Sequence, residues 1–271
     1  MNRTLWAGIV MTGFLFIVAA AAPLIATHDY KEQRLADKLR GPCAEYILGT
    51  DELGRDVFSR LVYGSRISMS VGIIAVFIAA AIGIFMGSAA GYYGGWIDNM
   101  IMRIVDIFLS IPTIYLILTT IVFLGPSIIN VMIVIGLTGW TGIARLVRAE
   151  VLKNKNMKYV DSAKLIGLPE SKIIMRHLLP NSLTPVFVAM TFGIAGAIFT
   201  EAALSFLGLG VQPPLPSWGN MLTAGKDYMH SAWWLIVFPG IAIFTAVFSY
   251  NLLGEGLRDY MNPVTRREDV G

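Results

Sequence analysis

Charge is scarce in this sequence. Only 14% of its 271 residues are Asp, Glu, Lys or Arg, while 55% are hydrophobic and the mean hydropathy is +0.65. Soluble domains carry about a quarter charged residues, so the deficit argues against a water-soluble fold and for an integral membrane protein. Cysteine is scarcer still. The single Cys43 excludes an intrachain disulfide and a cysteine-built metal cluster. His28, His177 and His230 are the only histidines and lie too far apart for a ligand pair of the HExxH kind. A net charge of +3, with no basic tract interleaved with aromatics, offers nucleic acid little to hold. A phosphate-binding loop is also missing. The nearest string, GNMLTAGKD from Gly219, has one residue too many between its glycines and carries Asp227 where Ser or Thr belongs. ATP hydrolysis is therefore not expected of this chain.

Long apolar runs are abundant instead. A helix crossing a bilayer needs about 20 mostly apolar residues. Six segments meet that requirement, roughly 5–27, 67–91, 101–124, 127–149, 182–209 and 232–257. The first is longer than the apolar core of a signal peptide, about 7–15 residues, and is read as a span. The expected fold is all-α and membrane-embedded, with both termini on one side. Placing the termini inside puts thirteen Lys and Arg on the inner side, among them Arg3, Arg103, Arg258, Arg266 and Arg267, and eight outside. Eight of the thirteen fall in 145–180, so the positive-inside rule assigns that loop and both termini to the cytoplasm.

The spans carry their own patterns. In the second, Ala75, Ala79, Gly83, Gly87 and Gly91 form a ridge of small residues, which fits packing within the chain better than contact with a partner. In the third, Arg103, Asp106, Ser110, Thr113 and Thr120 share one face, and Pro112 bends the helix. Two readings stand for this stripe: it lines a translocation path, or it makes interhelical hydrogen bonds with an Arg103–Asp106 ion pair. In the fifth, Glu201 falls on the face of Ala189, Gly193, Ala197 and Ser205. Pairing with an Arg or Lys of another helix is expected there over contact with cargo. Residues 28–66 read as an outer structural loop, and 210–231 as a Pro-rich outer segment anchored at the interface by Trp218, Trp233 and Trp234.

One stretch departs from its apolar neighbours: YVDSAKLIGLPESKIIMRHLLPN, Tyr159 to Asn181. Its first part favours helix, Gly167 is a natural stop, and Pro169 suits the first turn of a second helix. Pro180 should end that second helix, with Asn181 or Ser182 capping the next. Asp161, Ser162, Ala163, Gly167, Leu179 and Pro180 have the spacing of the EAA motif. The stretch therefore resembles the permease subunits of bacterial binding-protein-dependent ABC importers, with Asp161, Ser162 and His177 departing from the usual Glu, Ala and Ile. Leu48–Ser68 (LGTDELGRDVFSRLVYGSRIS) and Leu204–Leu222 (LSFLGLGVQPPLPSWGNML) resemble the peptide and nickel branch of that family.

The resemblance implies a MetI-like permease fold of six transmembrane helices in a bacterial inner membrane. It implies a homologous second permease, two ATPase subunits and an extracytoplasmic binding protein as partners. ATP and magnesium would be bound by the ATPases, and no cofactor by this chain. Tyr159, Asp161, Ser162, Ala163, Gly167, Leu179 and Pro180 would form the coupling element, with Ala163 allowing close approach to an ATPase. Asp106, Ser110, Thr113 and Glu201 are the candidate path residues. The implied organisation is an N-terminal span and outer segment (1–66), a permease core (67–260) with a coupling loop at about 151–180, and a cytoplasmic tail (261–271). Import of di- or oligopeptides is expected, with nickel or another metal chelate as the alternative and a secondary transporter as the remote one, since no internal repeat is evident.

Overall fold

The computed structural model describes residues 3–261. The tail residues Arg266 and Arg267 lie outside them. Helix α1 spans Arg3–Ala20, and a largely irregular segment follows. Helix α2, Val57–Tyr93, is the longest. It begins at 57, not 67, because Asp56 caps it: Oδ2 accepts from Ser59 N at 2.8 Å, Ser59 Oγ at 2.6 Å and Thr27 Oγ1 at 3.0 Å. The expected third span is broken. Helices α3 (Gly95–Ser110) and α4 (Thr113–Leu124) meet at an 86° bend across Ile111 and Pro112. Helix α5 runs Ile128–Lys155, the short α6 runs Lys158–Leu165, and α7 runs Thr184–Phe206. Helix α8, Trp218–Lys226, lies in the segment after α7, and α9, Trp234–Met261, follows. Among the described residues five helices are long and apolar enough to cross a membrane, and the bent α3–α4 pair counted as one span makes six.

The centre of the fold is the seam between α2 and α5, which run parallel. Gly83 faces Ile143, Gly87 faces Ala144 and Val147, and Gly91 faces Val151. At Gly87 an added Cβ would stand 2.5 Å from the Ala144 carbonyl oxygen and 2.8 Å from Val147 Cβ. The small-residue ridge therefore packs within this chain, where bare backbone lets the two helices touch. Helix α7 lies antiparallel on α2, with Gly72 against Ile194 and Ile198. Helices α1 and α9 pair antiparallel through Gly8 on Leu253 and Gly256 on Leu5. Both ends of the described chain thus lie at the end of the bundle that carries α6.

At the opposite end, 26–56 and 207–232 close over the helices. Asp51 accepts from Arg55 Nε at 2.6 Å and from the backbone of Leu53 and Arg55 at 2.9 Å, and Arg60 Nε lies 3.5 Å away. Trp218 and Trp234 are buried here and are not interfacial anchors. Their indole N–H groups donate to Leu61 O and Thr50 O, each at 3.1 Å. Only Trp233 of the three is exposed. One carbonyl from the first turns of α2 and one from the 26–56 segment draw the other two rings inward, which hydropathy cannot show.

The α2–α5 seam generates a test. Gly87→Val forces the backbones apart and should destabilise the protein by about 3 kcal/mol or more. Gly13→Ala, where an added Cβ meets nothing within 4 Å, should be neutral or slightly stabilising. Thermal unfolding of the detergent-solubilised protein reads both.

Candidate functional site

The stretch 156–182 folds as an exposed helical joint. Helix α6 stops in a paired-bond turn: Gly167 N donates to Lys164 O at 3.0 Å and Leu168 N to Ala163 O at 3.2 Å. Gly167 has φ +76°, and a Cβ there would meet nothing within 4 Å. The backbone conformation alone, not crowding, therefore favours glycine. After the extended Pro169, the chain makes an α turn (Glu170–Lys172), a π-helical segment (Ile173–Leu178) and a second α turn (Leu179–Ser182). Pro180 does not end this helix. The widened π turn before it tolerates a residue with no N–H to give, and the break comes at Leu183. Nor do Asn181 and Ser182 cap the next span. Asn181 Nδ2 donates back to His177 O at 2.6 Å, and Ser182 Oγ accepts from Asn154 Nδ2 at 3.0 Å.

The two faces of the joint differ in chemistry. Val160, Ala163, Ile173 and Leu178 pack inward on Val147 and Val151. Ala163 thus faces its own chain, and Leu179 is also buried, so neither side chain is on the outer surface. Tyr159, Asp161, Ser162, Gly167 and Pro180 are exposed. Beside them stand Leu165 at 86%, Ile166 at 76% and Met175 at 68% exposure, in a basic surround. The sequence reading missed these three apolar side chains. Their signal is local: a glycine stop directly after Leu165-Ile166 holds the pair at a helix end with no helix left to bury it. The joint is tied to α5 by the buried Asn154–Ser182 bond, and next to it Lys155 Nζ at the end of α5 donates to Tyr92 O at the end of α2.

The candidate path residues separate. A cleft of about 350 Å³ opens between α2, α4, α5 and α7, lined by small residues and by the hydroxyls of Thr113, Thr138 and Thr200. No charged side chain lines it. Thr138 Oγ1 donates to Val134 O at 2.9 Å and Thr200 Oγ1 to Gly196 O at 2.8 Å, so both hydroxyls present lone pairs to the cleft. Thr113 lines the cleft; Asp106, Ser110 and Glu201 do not. Ser110 Oγ bonds back to Ile107 O at 2.7 Å. Asp106 pairs with Arg145 on α5 at 2.5 Å and not with Arg103, because a neighbouring helix brings a guanidinium to it. One rung further along, Arg148 holds Asp98 with two bonds of 2.5 and 2.6 Å. These rungs join α3 to α5.

Glu201 is fully buried and has no basic partner among the described residues. Its carboxyl accepts from Ser205 Oγ at 2.7 Å and from Ser68 Oγ at 3.2 Å. Hydroxyl donors satisfy both oxygens, which the expectation of an ion pair overlooked. Among the described residues no group of three or more His, Cys, Asp or Glu is placed to hold a metal ion. The arrangement has an uncharged, hydroxyl-dotted cleft and an exposed joint, suited to guiding and transmitting movement.

Comparison with known proteins agrees with this geometry. The family described as "Binding-protein-dependent transport system inner membrane component" matches residues 79–267. The chain is similar to the dipeptide transport system permease protein DppC of Alkalihalophilus pseudofirmus, 42% identical over 97% of this chain and 86% of that protein. It is 40% identical to DppC of Bacillus subtilis over 98% of this chain and 83% of that one. It is also 43% identical to the glutathione transport system permease protein GsiD of Escherichia coli O6:K15:H31, over 92% and 82% respectively. A solved structure of the MetNI methionine ABC transporter in inward facing conformations has a similar fold, with TM-score 0.55, 19% identity, and coverage of 73% of this chain and 96% of that one.

The two α3–α5 rungs should differ in strength. Asp98→Asn removes a two-pronged pair whose carboxylate side chain is 15% exposed, and should destabilise by about 2 kcal/mol. Asp106→Asn, at 59% exposure, should cost under about 1 kcal/mol. Unfolding midpoints of the two purified variants check the order.

Proposed function

We propose a role for this chain from one premise: it belongs to the family of binding-protein-dependent transport system inner membrane components. It is a multi-pass membrane permease, and in our reading it forms half of the translocation path of an ATP-driven importer of short peptides. A homologous permease forms the other half, two ATPase subunits bind ATP and magnesium, and an extracytoplasmic binding protein delivers cargo. The chain performs no covalent chemistry. The names of its dipeptide and glutathione permease relatives, at similar identities, support peptide cargo. An uncharged cleft supports passage without tight binding: threonine lone pairs can meet amide N–H groups, and no buried charge holds a carboxylate or ammonium in place.

The observation that carries this reading is the exposed joint at 156–182. Leu165, Ile166 and Met175 are large apolar side chains left exposed on the joint, which also exposes Tyr159 and Asp161. Such a surface suits a protein groove, here that of an ATPase subunit. Its attachment through the Asn154–Ser182 bond and its packing on Val147 and Val151 lets ATPase closure move α5, and the Lys155–Tyr92 bond passes that movement to α2. Alternating access then follows as a rigid-body shift between two arrangements of the paired permeases. The excess of Lys and Arg in 145–180 supports a cytoplasmic joint and cytoplasmic termini.

Gly167→Val should lower ATP-dependent uptake of a dipeptide mixture and ATPase copurification by at least about tenfold, with the spans still inserted, because a β-branched residue strains φ +76° by roughly 1–2 kcal/mol and tilts α6. Gly167→Asn should be milder. Leu165→Asp with Ile166→Asp should abolish copurification without altering the unfolding midpoint. Wild-type copurification and uptake in these variants would overturn the coupling role.

Sidedness has its own test. Cys43 should react with a membrane-impermeant thiol reagent in spheroplasts, whereas a cysteine introduced by Lys155→Cys should react only after permeabilisation. Labelling of the Lys155→Cys variant in intact cells would reverse the topology.

A further inference from the structure

Glu201 lies outside the cleft and the joint, yet it is the most deeply enclosed acid of the described chain. Four donors are arranged around it in two directional chains. On one side Trp218 N–H donates to Ser68 Oγ at 3.2 Å, and Ser68 O–H donates to Glu201 Oε2 at 3.2 Å. On the other, Val211 N–H donates to Ser205 Oγ at 3.1 Å, and Ser205 O–H donates to Glu201 Oε1 at 2.7 Å. Each hydroxyl gives its own proton to the carboxyl and accepts the backbone N–H on a lone pair. The carboxyl is thus the common end-point of two relays from residues 211 and 218.

Those backbone groups belong to the outer segment. Trp218 N–H is one of the free donors of the first turn of α8, and Ser217 caps the same turn with Asn220. The segment presses closely on α7 at the same place. A Cβ on Gly210 would stand 1.9 Å from Ser205 Oγ, and one on Gly219 would stand 2.6 Å from Ala202 Cα. Thr223 Oγ1 adds a bond to Ser205 O at 2.8 Å. All of this lies at the outer end of α2 and α7.

We propose that Glu201 is a positioning residue: through Ser68 and Ser205 it locks the outer segment 207–226 to the outer ends of α2 and α7, so that segment and spans move as one body when the outer mouth opens. The inference rests on the importer reading above. It gives the segment a role in transmission: a binding protein seated on the outer face meets a surface rigidly joined to two spans. A tryptophan ring alone could pack without fixing direction, whereas two relays converging on one carboxyl fix both ends of the 211–218 loop.

The test uses the full importer, reconstituted in nanodiscs with its ATPases and binding protein, and compares wild type with Glu201→Gln, Ser68→Ala and Glu201→Leu. Gln keeps the shape but replaces one accepting oxygen with a donor, so one relay breaks without leaving a void. Hydrogen exchange of 207–226 should rise at least about tenfold in each variant, with exchange in α9 unchanged. Uptake of a dipeptide mixture stimulated by the binding protein should fall at least about tenfold, while ATP hydrolysis without binding protein stays within about twofold. Unchanged exchange in the segment overturns the lock. Faster exchange with normal uptake overturns its role in transmission, and a parallel loss of basal hydrolysis marks general damage and overturns it too. If Glu201→Leu fails to assemble, Glu201→Gln and Ser68→Ala decide. Absence of ATP-dependent uptake in wild type would instead refute the importer reading, with the exchange measurement still deciding the lock.

Discussion

Contact between the backbones of α2 and α5 sets the position of every other helix. Lipid tails are as apolar as leucine, so burying apolar side chains between two membrane helices releases little free energy. What remains is close van der Waals contact, and it needs small residues in register. Gly83, Gly87 and Gly91 provide that register against Ile143, Ala144 and Val151. Because the two helices are parallel, the chain must return between them, and the bent α3–α4 pair makes that return. Helix α7 then packs on the other side of α2, and the cleft lies where α2, α4, α5 and α7 meet.

The same scarcity of water governs the polar groups. Acids near or within the spans are all held, each in a way set by its depth. Asp106, half-exposed, has a single-point partner in Arg145; Asp98, more enclosed, has both oxygens bound by Arg148. Glu201, fully buried, is satisfied by hydroxyls alone. A cation there would bring a second desolvation penalty, whereas serine hydroxyls are short, neutral and already part of the helices. The outer charges follow the same logic, with Asp51 gathering Arg55 and Arg60 under the loop.

The joint at 156–182 shows how burial and exposure coexist. Its inner face joins the core cluster of α5, while its outer face leaves three large apolar side chains uncovered. The π segment fits the chain between a glycine stop and a proline without losing its grip on Asn154. The buried Asn154–Ser182 bond and the packing on Val147 and Val151 brace this surface against α5.

Local chemistry was legible in the sequence: the apolar runs, the small-residue ridge, the Gly167 turn and the positive loop each follow from neighbours within a few residues. So were the family resemblance and the exposed Asp161 and Ser162. Partnership was not legible. Asp106 took Arg145 over Arg103, Glu201 took Ser68 and Ser205 over any cation, and Trp218 and Trp234 turned inward to carbonyls far away in the chain. Periodicity names the face a residue occupies on its helix, but which group waits opposite depends on how helices distant in sequence approach and at what height. The start of α2 at Val57 belongs to the same class, because Thr27 completes its Asp56 cap from another part of the chain. Apolar run length and turn residues fix which segments are built to cross a membrane and where the chain turns; which polar group satisfies which is settled by distance in space, and so emerges only when the helices pack.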